Sequence, residues 1–82
     1  MLYVPNATRK MTRGQALREV RSMYGLTQKY LGERLGVKGS VISEWESDKI
    51  NLSDFYWTNL CMMYPVLTNM SVDDKFSKNI LN

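Results

Sequence analysis

Eighty-two residues with 44% hydrophobic content, two Trp, five Tyr and two Phe support one domain around one core, since a chain this short buries only about 60% of its unfolded surface. One cysteine and no histidine exclude an internal disulfide and Cys/His metal spacing, fit a reducing cytosol, and leave no imidazole for general acid–base work. The net charge of +3 is unevenly spread: residues 1–52 carry nine Lys/Arg against five Asp/Glu, and residues 53–82 carry two against three.

The chain opens with a short apolar run, Leu2-Tyr3-Val4, stopped by Pro5, and then turns polar and basic. Residues 1–11 read as an extended N-terminal arm, without the basic-then-apolar pattern of a secretory signal. Positive charge is thickest from here onward, at Arg9, Lys10, Arg13, Arg18 and Arg21, a basic surface that suits a polyanion as readily as it suits solvent. Thr12 followed by Gln15 is a capping box, and it predicts a first helix over about 13–24 with Leu17, Val20 and Tyr24 on its inner face. Gly25 ends that helix, because a helix C-terminus favours the left-handed conformation.

Thr27 caps a second helix with Leu31 and Leu35 turned inward at i, i+4 spacing. Gly32 sits between them, where a glycine costs about 1 kcal/mol relative to alanine, so its presence predicts a close backbone approach to the next helix. Gly36 closes the second helix, Val37 is the buried residue of a tight turn, and a third helix follows over about 38–46 with Val41, Ile42 and Trp45 apolar. Two helices this short need an apolar clamp, and Leu, Val, Ile and Trp fall where that clamp is required. This is a helix-turn-helix layout, which offers one helix face to the major groove of DNA.

Residues 47–52 read as a loop. Ser53 caps a fourth helix, with Asp54 favourable at its positive end and Trp57, Leu60, Cys61 and Tyr64 forming an inward stripe. Pro65 ends it, and Pro65 to Met70 reads as loop. Ser71 with Asp73-Asp74 suits a further helix start, in which Val72, Phe76 and Ile80 make a narrow apolar seam that either covers the core or pairs with a second copy. The organisation expected is therefore an arm over 1–11, a helix-turn-helix domain over 12–64, and a C-terminal loop and short helix over 65–82 that is a candidate dimerisation element. The fold class is all-α, a compact four- to five-helix domain. No apolar run approaches the roughly 18 residues a membrane span needs, and the expected location is the cytoplasm.

With the helices placed, residues 12–64 resemble the lambda-repressor-like helix-turn-helix family of phage repressors, Cro proteins and related bacterial regulators. The resemblance rests on Gly25-Leu26-Thr27-Gln28, Leu31, Leu35-Gly36-Val37, Ile42, Trp45-Glu46 and Leu60-Cys61, and it covers about two thirds of the chain. It implies that Thr27 and Gln28, at the start of the second helix, meet a DNA phosphate with the help of the helix-end amides, and that Arg21 and Glu46 tie the first helix to the end of the third. It places Gly39, Ser40, Ser43 and Glu44 against base edges, and Lys38, Lys49 and Asn51 against the backbone. Arg9, Lys10 and Arg13 are further phosphate candidates from the arm and the first helix.

The base-reading set departs from the family pattern. Gly39 has no side chain, Ser40 and Ser43 bond to any base or to phosphate, and Glu44 accepts from cytosine but repels phosphates. Specificity then leans on few contacts, on DNA shape, or on the arm in a groove. The leading expectation is a sequence-specific repressor of phage or mobile-element type that binds double-stranded operator DNA as a homodimer. The alternative is a protein-interaction module of the same fold that modulates a regulator partner. No enzyme, cofactor or metal site is expected, because the carboxylates are scattered rather than paired and Cys61 faces inward.

Overall fold

The computed structural model describes residues 10–73. Its elements are α1 (Arg13–Met23), α2 (Gln28–Leu35), α3 (Gly39–Glu46) and α4 (Asp54–Met63), followed by a 3-10 turn at Pro65–Asn69. The architecture is all-α. None of the helices is long and apolar enough to cross a membrane among the described residues.

Three of the four helix starts are fastened by the side chain just before them. Thr12 Oγ1 accepts from the Gln15 amide at 3.0 Å while the Gln15 side chain accepts from the Thr12 amide at 3.0 Å, closing the capping box. Thr27 Oγ1 accepts from the Tyr30 amide at 2.9 Å, and Ser53 Oγ does the same for Tyr56 at a longer 3.5 Å. Each bond satisfies an amide that has no partner inside its helix. The α3 start lacks such a bond, with Lys38 in the cap position. Two left-handed glycines, Gly25 at φ 66° and Gly36 at φ 78°, turn the chain after α1 and α2.

The core gathers Ala16, Leu17 and Val20 from α1, Leu31 from α2, Ile42 and Trp45 from α3 and Leu60 from α4. Glycine sets how closely these helices meet. A Cβ on Gly32 would lie 2.6 Å from the Val37 carbonyl oxygen and 3.1 Å from the Gly39 nitrogen, so α2 presses directly on the turn and on the first residue of α3. A Cβ on Gly14 would lie 1.8 Å from the Trp45 carbonyl oxygen, so α1 crosses the C-terminal end of α3 backbone to backbone.

Several inner positions differ from the expectation. Tyr24 is 53% exposed, because α1 ends one residue earlier and its ring turns outward to meet Tyr64 at 5.5 Å. Leu35, Val37, Trp57, Cys61 and Tyr64 line the core at its edge rather than filling it. Two leucines from stretches read as loop are buried instead, Leu52 and Leu67. Leu67 enters because Pro65–Asn69 winds into a 3-10 turn that carries it back over α1 and α4. Ser71–Asp73 does not open a helix within the described residues. Met11 donates to the Ser71 carbonyl at 2.9 Å and accepts from the Asp73 amide at 2.7 Å, a single parallel bridge between Met11 and Val72 that ties the two ends of the described chain together. The apolar run Leu2-Tyr3-Val4 and the positions Phe76 and Ile80 lie outside the described residues.

The Gly14→Ala variant separates close packing from helix propensity. Alanine at an open helical site stabilises by about 1 kcal/mol, whereas here overpacking costs roughly 1–3 kcal/mol; urea unfolding should show a loss, and an unchanged or raised midpoint refutes the contact. The Tyr64 phenol offers a second check. Burial, then the neighbouring Tyr30 and Tyr24, lift it above the ordinary 10.0, with Arg34 opposing. The folded state therefore keeps this proton longer than the unfolded chain. Its contribution is complete below pH 10 and is lost as pH rises through the folded value. Thermal unfolding from pH 9 upward should show Tyr64→Phe losing less stability than the parent, and parallel curves contradict the assignment.

Candidate nucleic-acid interface

The turn of four residues between α1 and α2 and the tighter one between α2 and α3 bring three helix ends to one region. Gly39 makes a further close approach: a Cβ there would lie 3.3 Å from both the Lys29 Cα and nitrogen and 3.5 Å from the Gln28 carbonyl carbon. The N-terminal turns of α2 and α3 thus rest on each other. Each helix has eight residues, and each exposes amides at its start that no internal carbonyl accepts, carrying the positive end of the helix dipole.

Along α3, Ser40 and Ser43 are exposed while Gly39 and Glu44 are half-buried. The inner side of the same helix holds Ile42 and Trp45, so the two hydroxyls stand on the solvent side. The Glu44 backbone carbonyl is heavily used. It accepts from the Ser47 hydroxyl at 3.3 Å and from the Lys49 and Ile50 amides at 2.9 and 3.3 Å, which folds the loop after α3 back on its own helix. Asp48 in that loop takes a positive φ of 62°, and its carboxylate accepts from the Thr12 hydroxyl at 3.1 Å. Lys38, Lys49 and Asn51, which flank α3, are exposed, as are Lys29 and Lys10. Arg9 lies outside the described residues.

Arg13 has a different setting from the other cations. Its guanidinium donates to Asp54 Oδ1 at 2.7 Å and to the Leu52 carbonyl at 3.1 Å, and it sits 5.4 Å from the Trp57 ring centre. Those contacts fasten α1 to the entry of α4 and hold the carbonyl of buried Leu52. A phosphate would have to compete with them.

Among the described residues Glu46 is the buried charge, 7% exposed. Its Oε2 accepts from Arg21 Nε at 2.6 Å, and its Oε1 accepts from Arg21 Nη2 at 3.0 Å, a bidentate pair of the kind guanidinium geometry favours. Arg21 Nη1 donates to the Leu26 carbonyl at 2.9 Å. The hydrogen bonds that Arg21 donates to Glu46 lift its guanidinium above the ordinary value, partly offset by burial and aided further by the charge of Glu46. A third donor reaches the same carboxylate: Gln28 Nε2, 3.0 Å from Oε1. One carboxylate thus ties α1, α2 and α3, and its Arg21 partner adds the turn.

The family model of the helix-turn-helix matches residues 17–65, more than half of the chain. The chain belongs to the helix-turn-helix family. Membership makes it a DNA-binding regulator in the general sense of that family, and the matched span runs from Leu17 in the core to Pro65, the first residue of the 3-10 turn. No curated protein and no solved structure matches the chain.

Three features of this helix-turn-helix lay beyond sequence reasoning. The Gly14 contact has no signature beyond a glycine in the first turn of a helix. The Arg13 fastening depends on Asp54, 41 positions away. The Gln28 bond to Glu46 joins two residues that the sequence assigned to separate contacts, 18 positions apart.

The two ion pairs should respond differently to truncation. Glu46→Ala strands Arg21 beside the core and should cost on the order of 3 kcal/mol. Asp54→Ala opens a pair whose acid is 72% exposed and should cost below about 1 kcal/mol. Equal losses in chemical denaturation would show that burial does not distinguish them.

Proposed function

We propose that this chain is a sequence-specific transcriptional repressor, of the small phage or mobile-element type, that binds a roughly palindromic operator as a homodimer with α3 in the major groove. The observation that carries this reading is the meeting of the α2 and α3 N-terminal turns at Gly39, beside the outward Ser40 and Ser43. In this reading the exposed helix-start amides take phosphates, with Thr27 and Gln28 at one helix and Lys38 at the other. The Thr27 hydroxyl accepts its cap bond and still has a hydrogen to give.

Lys49 and Asn51 clamp the backbone from the loop after α3, and Lys10 and Arg9 reach it from the arm. Arg13 contributes from α1 to the extent that its bonds to Asp54 and Leu52 yield. Base contact falls to Gly39, Ser40, Ser43 and Glu44. Gly39 contributes closeness rather than a bond, Ser40 and Ser43 donate or accept, and Glu44 accepts from cytosine N4. Two copies would set their α3 helices about 34 Å apart.

A second reading is favoured by Phe55 and Met62, 70% and 75% exposed, with Ile50 48% exposed nearby in sequence. Apolar side chains of this size on α4 suit a protein partner. In that reading the domain modulates another regulator, and DNA contact is secondary.

Selection of bound duplexes from random DNA at defined salt, with solution mass measured alongside, decides between them. The repressor reading expects a recovered half-site repeated at one-turn spacing, a dimeric mass on DNA, and an affinity that falls steeply between about 50 and 200 mM salt. Ser40→Ala should relax preference at one position of the half-site. An affinity indifferent to sequence, with a monomeric mass, removes the repressor reading in favour of the interaction module.

A further inference from the structure

Glu46 makes one more bond than an ion pair requires. Arg21 already occupies both carboxylate oxygens, at 2.6 and 3.0 Å, yet Oε1 also takes the Gln28 amide nitrogen at 3.0 Å. Gln28 is the first residue of α2, at the helix start where the amides lack internal acceptors.

A glutamine amide has a donor edge and an acceptor edge of nearly equal shape, and a solvated one presents either. A carboxylate only accepts. Glu46 therefore binds the NH2 group and never the carbonyl, which removes the ambiguity. With one amide hydrogen held by Glu46, the second hydrogen and the carbonyl oxygen are left for another partner. The carboxylate is itself held in place by Arg21 from α1, so the orientation is fixed by the body of the domain and not by α2 alone.

We propose that Glu46 is a positioning residue for DNA binding, which locks the Gln28 side chain so that its remaining donor meets a phosphate oxygen at the α2 N-terminus. The inference rests on the DNA-binding reading of this surface and deepens it. It makes the buried Arg21–Glu46 pair part of the interface, acting through Gln28, although neither member need touch the nucleic acid. In Glu46→Gln the facing amide can meet Gln28 through either edge, so the lock is lost while the side-chain shape is kept.

The test is a double-mutant cycle on the full chain, with affinities for the selected duplex and for a mixed-sequence duplex. Gln28→Ala should weaken binding by about tenfold to a hundredfold, the range for a hydrogen bond to a charged group. Glu46→Gln should weaken it comparably, and the double variant should be no weaker than either single one. A purely structural Glu46 would instead give losses that multiply, and that result overturns the inference while leaving DNA binding by the parent chain intact. A parent chain that binds neither duplex overturns both this inference and the reading beneath it.

Should Glu46→Gln fail to fold, NMR of the unmodified protein still decides. The Gln28 side-chain amide hydrogen that faces Glu46 should exchange slowly with solvent and resonate away from its free-chain position. An amide that exchanges freely at free-chain shifts refutes the lock.

Discussion

A single buried carboxylate holds the arrangement together. Glu46 sits at the end of α3, and its partners come from α1 through Arg21 and from α2 through Gln28. Removing an ionised carboxylate from water costs several kcal/mol even after relaxation, and a bidentate guanidinium with a third donor is the arrangement that offsets it. A hydrophobic substitute of similar volume can equal such a pair in net stability. It could not fix the directions of three helices at once, because apolar contacts have no preferred angle. The value of Glu46 is therefore geometric, and its energy is a constraint more than a surplus.

Geometry matters here because α2 and α3 are only eight residues long. Helices below about 12 residues are marginal alone in water, so each exists by packing on its neighbours. Gly32 lets the two backbones touch at the turn, and Gly14 lets α1 cross the end of α3. With side chains in those gaps the helices would stand apart and the three donors would no longer converge on Glu46. The Met11–Val72 bridge and the buried Leu67 complete the clamp from the other side, closing the chain over α1.

How much of this could be read from sequence follows from how local each signal is. Caps at Thr12, Thr27 and Ser53 were legible because each bond spans three residues, and the ending at Gly36 needs one residue in the left-handed region. The clamp residues Leu31, Ile42 and Trp45 were legible from spacing. Leu52 and Leu67 were not, since both lie in stretches with turn-forming neighbours and are buried by the path of the chain as a whole. Tyr24 fits the helical stripe of α1 but falls beyond the last turn, where the stripe no longer predicts a direction. The pairing of Arg21 with Glu46 was readable as what the family resemblance implies. The hydrogen bond between Gln28 and Glu46, and the diversion of Arg13 to Asp54, depend on tertiary approach across 18 and 41 positions.

The outward face of α3 has a consequence for how binding strength divides. Ser40 and Ser43 are short, so each reaches a base edge only if the helix lies deep in the groove, and the absence of a Cβ at Gly39 reduces the bulk at its leading turn. Under the proposed function, depth is set by the contacts that hold the helix starts against phosphates, and so by the rigidity of the α2–α3 junction. Affinity then comes from amides and lysines with little sequence preference. Discrimination comes from whether a given sequence permits the close fit, which rejects by shape and deformability as much as by hydrogen bonds. A long flexible reader such as arginine tolerates a helix displaced by an ångström, and a serine does not. The plain side chains on α3 thus demand a firm support, and the Arg21–Glu46–Gln28 connection is a polar link that crosses that junction.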